Sequence, residues 1–294
     1  MFHVDSHFVK GASHLVCQDY ATSGITADGV PYVIVSDGCS SAKDSDFGSR
    51  ILVRAAETAI TRITYTMLQM GSFDGELVPV IEGEVKDRIR KVAQALDLPT
   101  TPFYATLLIA FYINKKLYLY ARGDGTLSVK YHRTANGEKV HTVSHFTYAS
   151  NAPFYMAYDL VPEDLKSYQI QFNQPLTETV YTQPDAAGLR QTLVATMEPT
   201  SVICKVFDLE GCVLDHVMIS SDGLDSYIKT AGMNPTKGFA YADILTRATD
   251  YKNVVGEFIK RRVQRMEAED RKEGIEHYDD VSVAAIVEVP DVQG

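Results

Sequence analysis

No run of about 18 apolar residues occurs anywhere in the 294-residue chain, which excludes a conventional membrane-spanning helix. The first residues, Met1-Phe2-His3-Val4-Asp5, lack the basic then apolar pattern of a secretory leader, so a cytoplasmic protein is expected. The four cysteines, Cys17, Cys39, Cys204 and Cys212, contain no CxxC pair. That spacing argues against cysteine-held zinc and against a disulfide framework, and leaves reduced thiols. Basic residues are in deficit, 28 against 38 acidic, for a net charge of -10. Nucleic acid and anionic membrane are therefore disfavoured as partners. A phosphorylated substrate would need cations at the site itself. Nucleophile signatures are missing too: there is neither a GxSxG elbow nor a Cys-x5-Arg phosphate loop.

What the chain does have is 45% apolar residues, enough for one large domain or two ordinary ones. Two of its apolar runs end in the same polar stop. Tyr32 to Val35 leads into Ser36-Asp37-Gly38, and Val217 to Ile219 into Ser220-Ser221-Asp222-Gly223. Asp-Gly is also a common turn former, as Asp28-Gly29 illustrates between the runs ending at Ile25 and starting at Tyr32.

Alternation predicts strands over Phe2 to Val9 and Asp19 to Ile25. Apolar residues recurring every four positions from Phe47 to Met67 predict a long helix with Ser45 as N-cap. A second helix carries Val85, Ile89, Val92 and Leu96, supported by Glu84 with Arg88 and Asp87 with Lys91, and stops before Pro99. Strands follow at Tyr104 to Tyr112, Leu117 to Ala121, Leu127 to Tyr131 and Val140 to Phe146, with a turn at Asn136-Gly137. No βαβ rhythm appears, which disfavours a parallel sheet. From Ser150 to Pro199 the pattern loosens around Pro153, Pro162, Pro175, Pro184 and Pro199. That segment reads as an irregular, flap-like and substrate-facing excursion, with a strand at Tyr168 to Phe172 and a short helix around Asp185 to Thr192. Order resumes with strands Val202 to Phe207 and Val213 to Ile219, helices Tyr241 to Thr249 and Val254 to Met266, and a closing strand Val281 to Val287. Lys260, Arg261, Arg262 and Arg265 read as a solvated helix face, with a phosphate-binding patch as the sharper alternative. The pairs His3 with His7 and His141 with His145 each share a strand face, for packing or surface roles rather than metal.

Five aspartates stand at strand mouths: Asp19, Asp37, Asp124, Asp222 and Asp279. On spacing alone they are either scattered turn and capping residues or a gathered cation site. Gathering them would require cations, because two unit charges about 4 Å apart cost roughly 4 kcal/mol at an effective dielectric near 20. All-oxygen ligands suit Mg²⁺ or Mn²⁺.

The order and context of these residues resemble the metal-dependent Ser/Thr protein phosphatases of type 2C over nearly the whole chain. His14-Leu15-Val16-Cys17-Gln18-Asp19 is similar to the first motif, in the bacterial-type HxxCQD variant that replaces RxxNED. Val33 to Gly38, Asp46 to Arg50, Phe103 to Leu107, Gly123-Asp124, Ser221-Asp222-Gly223 and Asp279 to Ser282 resemble the later motifs in order. The resemblance implies an α+β fold, an αββα sandwich of two antiparallel sheets flanked by helix pairs, with residues 1–294 as a single phosphatase-like domain.

It further implies hydrolysis of phosphoserine and phosphothreonine monoesters in a protein or peptide by a water bridging two Mg²⁺ or Mn²⁺ ions. Asp37 would bridge the ions, with the Gly38 carbonyl on one of them. Asp222 and Asp279 would complete the second ion's shell, Asp19 would act through waters, and Asp124 with Asp222 would hold a third, weaker ion. His14 falls where many relatives carry a phosphate-binding arginine, and Cys39 where animal relatives place a histidine that protonates the leaving group. Both are catalytic candidates, beside plain roles as a loop hydrogen-bonder and a packed thiol. Two other functions remain open on the same fold: a catalytically silent phosphopeptide-binding or regulatory module, and a phosphatase of a small metabolite.

Overall fold

A computed structural model describes residues 1–70, 77–172, 174–183, 188–229, 236–237 and 239–289. Strands β1 (Phe2–Val9), β2 (Tyr20–Ile25) and β3 (Pro31–Ser36) precede helices α1 (Ser45–Met70) and α2 (Leu77–Leu96). Then come β4 (Leu107–Ile113), β5 (Lys116–Arg122), β6 (Gly125–Arg133), β7 (Lys139–Tyr148) and α3 (Pro162–Gln171). The chain continues through β8 (Leu176–Thr182), β9 (Arg190–Met197), β10 (Ile203–Asp208), β11 (Cys212–Ser220), β12 (Tyr227–Lys229) and β13 (Thr236–Lys237). It ends with α4 (Tyr241–Ala248), α5 (Phe258–Asp270), β14 (Ile275–His277) and β15 (Val281–Glu288).

Two antiparallel sheets dominate, ordered β1-β15-β11-β6-β7-β8-β9 and β10-β5-β4-β3-β2, with a small third sheet β13-β12-β14. The period of two along a strand decides which layer each side chain joins. Val33 and Val35 of β3 enter a core shared with Leu127, Val217 and Ile286 of the other sheet, whereas Ile34 between them packs on Leu52, Ala56 and Ile60 of α1. On the far side, Ala284 and Ile286 face the shared core, while Val283 and Ala285 lie under Ile244, Ile259 and Met266 of α4 and α5. The result is an α+β sandwich with two sheets between helix layers. Among the described residues no helix is long and apolar enough to cross a membrane.

Several expectations need correction. Tyr168 to Phe172 is not a strand, since residues 162–171 form α3. Pro162 opens that helix with its φ already helical, Glu163 and Asp164 sit favourably in the first turn, and Tyr168 is buried with its hydroxyl donating to the Ala152 carbonyl at 3.0 Å. The helix expected around Asp185 to Thr192 is absent from the part of that stretch the structure describes. Residues 184–187 lie outside the described residues, and Arg190 begins β9. That strand is an exposed sheet edge, so it carries no buried alternation to read. Among the described residues of 150–199, α3 and two strands that extend the larger sheet supply the regular structure.

The strand expected from Tyr104 begins only at Leu107, after a 3-10 turn at Thr101–Phe103. Ser45 is the first residue of α1, but its hydroxyl donates to the Cys39 carbonyl at 2.9 Å and accepts from Gln18 Nε2 at 2.9 Å, so it ties loops together instead of capping. Glu84 reaches Arg62 of α1 at 3.4 Å, whereas the Asp87 to Lys91 pair forms at 2.6 Å.

Candidate active site

The strand register brings the aspartates to one edge of the sandwich. Ser36 pairs with Tyr20, and Leu107 with Arg122, so the end of β3, the start of β2 and the end of β5 coincide. In the other sheet Ser220 pairs with both Thr126 and Val283, which puts the end of β11 beside the starts of β6 and β15. Asp19, Asp37, Asp124, Asp222 and Asp279 each occupy one of these ends.

Local bonds fix their positions. The Ser36 hydroxyl donates to the Thr106 carbonyl at 2.6 Å, the Asp37 amide donates to Thr106 Oγ1 at 3.0 Å, and the Thr106 amide donates to the Asp37 carbonyl at 2.8 Å. The Cys39 amide donates to the Tyr104 carbonyl at 2.8 Å. Residues 36–39 are therefore zipped to 104–106, the segment whose motif also surfaced in the sequence. Asp124 sits between Gly123 and Gly125, whose φ angles of +105° and +129° suit glycine. Asp222 opens a 3-10 turn directly after β11. A Cβ at Gly223 would stand 1.8 Å from the Asp280 carbonyl oxygen, so only glycine lets this turn approach the residues entering β15.

Asp37, Asp124, Asp222 and Asp279 line one cleft of about 240 Å³, together with Gly38, Cys39, Tyr155 and Tyr158. Asp19 is buried behind it, near enough to Asp37 for each carboxyl to shift the other. Burial pushes the Asp37 carboxyl well above the usual range, and the Asp19 and Asp222 charges push it further. Asp124 is raised by burial and then by Asp222, and Asp222 by burial and then by Asp279. Burial also raises Asp19, moderated by Asp37 and by the Ser282 and Ser221 hydroxyls, which stand near it without reaching hydrogen-bonding geometry. Both Asp19 oxygens, Asp124 Oδ1 and Asp222 Oδ1 are buried without a hydrogen-bond partner. Buried, mutually repelling carboxylates with unsatisfied oxygens are a costly arrangement that a cation would relieve.

The donor set is all oxygen, which fits Mg²⁺ or Mn²⁺. Among the described residues no three His, Cys, Asp or Glu side chains close into a ready ligand shell.

His14 does not line the cleft. Its Nδ1 is 2.9 Å from Asp280 Oδ2 and its Nε2 is 3.5 Å from Asp279 Oδ1. Cys39 does line the cleft, with Sγ 3.2 Å from the Ser41 hydroxyl. Lys260, Arg261, Arg262 and Arg265 lie away from it on α5. Arg261 and Arg262 donate to backbone carbonyls, while Lys260 and Arg265 pair with Glu257 and Glu269.

Sequence reasoning missed Asp280. This buried carboxylate accepts from the Gly11 amide at 2.7 Å and the Gln18 amide at 2.6 Å, and so ties the loop carrying His14 and Asp19 to the start of β15. Its place beside Asp279 was visible, but nothing in a sequence says that two distant amides converge on it. Also missed was the aromatic side of the cleft, Tyr155, Tyr158 and Phe172, which the prolines around it concealed.

The protein phosphatase 2C family model matches residues 5–276 of the chain. Among solved structures, a bacterial serine phosphatase matches with a TM-score of 0.51 at 12% identity, over 99% of this chain and 100% of that one. The serine/threonine phosphatase Stp1 from Staphylococcus aureus matches with a TM-score of 0.52 at 12% identity, over 99% of this chain and 96% of that one. At such identities the likeness is one of fold. No curated protein matches the chain in sequence.

Proposed function

The chain belongs to the protein phosphatase 2C family and is a phosphoprotein phosphatase, and from that premise we propose that it hydrolyses phosphoserine and phosphothreonine esters with two Mg²⁺ or Mn²⁺ ions held at the aspartate cleft. The observation that carries this reading is the set of buried carboxylates with unsatisfied oxygens around one cleft. Asp37 would lie between the ions with the Gly38 carbonyl on one of them, Asp222 and Asp279 would hold the second, and Asp19 would act through waters. Asp124 with Asp222 would take a third, weaker ion. When bound, the ions supply neutralisation of the phosphoryl oxygens and an activated water at neutral pH.

The chain's own groups do the rest. Thr106 holds Asp37 through its amide and its hydroxyl, and Tyr104 holds Cys39, so Gly38 is pinned between them and the acidic floor needs little rearrangement on loading. Tyr155 and Tyr158 close one side against solvent, which makes the first part of the 150–199 segment the substrate-facing element of a single domain. Cys39 lines the cleft, and its thiol would hand a proton to the departing serine or threonine oxygen. His14 lies beside Asp279 and Asp280, where it would orient Asp279 instead of contacting phosphate.

The test is phosphate release from a phosphothreonine peptide and from an aryl phosphate with Mn²⁺ and with Mg²⁺. Activity should disappear with chelator and in Asp37→Asn and Asp222→Asn. Binding of the peptide without turnover under either ion would leave a silent binding module, and turnover of small phosphates alone would leave a metabolite phosphatase.

A further inference from the structure

The cleft carries only negative formal charge. Its charged lining side chains are Asp37, Asp124, Asp222 and Asp279, and no lysine or arginine lines it among the described residues. Even with the metals in place the balance stays negative: five aspartates and a phosphoryl dianion against two divalent ions leave about three charges uncompensated, and the third, weaker ion at Asp124 and Asp222 would still leave about one. The whole chain, at -10, does nothing to offset this.

Opposite the acidic floor stands a packed aromatic wall. The Tyr158 ring lies 4.6 Å from Tyr104, 5.5 Å from Tyr155 and 5.0 Å from Tyr168, centroid to centroid. Phe172 continues the wall 6.0 Å from Tyr168 and is 37% exposed. The wall is anchored from behind by Arg122, whose guanidinium sits 4.5 Å over the Phe154 ring and 3.3 Å from Asp159. Rings held this firmly need no ordering on binding, and their faces attract cations. A glutamate or aspartate arriving here would meet carboxylates, ring faces and neutral polar groups, with no lining lysine or arginine among the described residues to pair with. A leucine would gain contact area but leave the charge untouched.

We propose that Tyr158 and Phe172 form a subsite for a basic side chain, arginine or lysine, that flanks the phosphorylated residue of the substrate. This deepens the phosphatase reading and rests on it for the position of the phosphoryl group. A basic flank supplies from the substrate the positive charge that the cleft lacks.

The experiment uses three phosphothreonine peptides that differ only at the flanking residue: arginine, leucine or glutamate. Binding is read by fluorescence anisotropy on the full chain with Mn²⁺, using a non-hydrolysable phosphonate analogue of each peptide, and kcat/KM is read with Mn²⁺ on the phosphopeptides themselves. The arginine peptide should exceed the glutamate peptide about tenfold in both readouts, with leucine between them. The advantage should shrink as salt rises, and Phe172→Leu and Tyr158→Leu should reduce it to about twofold. Tyr158→Phe keeps the ring and should keep the preference. Equal affinities, leucine as the best flank, or an arginine preference undiminished in Phe172→Leu would each overturn the subsite. Ranked binding with no turnover of any peptide would sink the phosphatase reading and leave the subsite standing. Turnover without ranking would do the reverse.

Discussion

Asp37 and Asp280 are both carboxylates at the same edge, yet their surroundings are opposite in kind. Asp280 accepts from two amides, Gly11 at 2.7 Å and Gln18 at 2.6 Å, so both of its oxygens are satisfied within the chain. Asp37 has its backbone secured by Thr106, but its carboxyl faces Asp19 and Asp222. Removing the charge should therefore have opposite effects at the two positions. Asp37→Asn should raise the metal-free stability by about 1–2 kcal/mol, because a buried repulsion disappears. The same change should cut Mn²⁺-dependent activity at least about a hundredfold. Asp280→Ala should cost about 2–3 kcal/mol, since two buried amides lose a charged acceptor. Urea denaturation gives both stabilities. Hydrogen exchange at the Gly11 and Gln18 amides should accelerate in Asp280→Ala alone, which would separate a loosened loop from general unfolding. The metal-ligand candidates could be read from the sequence because each follows or precedes an apolar strand. The role of Asp280 could not, because it depends on residues 262 and 269 positions away in the chain.

Elements were legible wherever one of their faces is buried. α1 shows this best, with Leu52, Ala56, Ala59, Ile63 and Met67 on its packed side, and β3 and β15 show it through alternation between two cores. The misreadings fall where burial is slight or is supplied by aromatics. α3 buries only Tyr168 fully, so its aromatic and aliphatic residues passed for strand alternation, and β9 is almost wholly exposed. Helical glycines offer a direct check on packing at this scale. Gly48 lies in α1 where a Cβ would stand 1.7 Å from the Pro102 carbonyl oxygen, and the backbone there leads into the Tyr104 to Thr106 segment that secures Asp37. Gly48→Ala should destabilise by about 3 kcal/mol, because backbone and not a flexible side chain must move. Gly83 lies in α2, where a Cβ would meet nothing within 4 Å. There, alanine should stabilise by about 1 kcal/mol through helix propensity. Thermal melts of the two variants should shift in opposite directions, and a shared direction would contradict the close contact between α1 and residues 101–103.

For the whole molecule, the sandwich gathers the five site aspartates at one edge and buries His141 and His216 elsewhere, and the two groups have opposite dependence on pH. Burial lowers His216 to about 3 and His141 to about 4, so their contribution to stability is full above the ordinary histidine range near 6.5 and is lost as pH falls. Burial raises Asp222 to about 6 and Asp19 to about 7, in the same direction as Asp37 and Asp124. Their contribution in the metal-free protein is full below the ordinary aspartate range near 4 and is lost as pH rises through those values. A bare melting curve against pH would mix the two signatures, but the divalent ion separates them. It binds the ionised aspartates of the native state and leaves His141 and His216 untouched, so the gain on adding Mn²⁺ reports the acidic edge alone. Protons compete for the same oxygens at low pH. The rise in Tm with saturating Mn²⁺ should therefore be clearly larger at pH 7.5 than at pH 5, and Asp37→Asn should largely abolish it at both. Calorimetry at the two pH values checks this, and an equal rise at each would show that the ion is held by groups other than these aspartates.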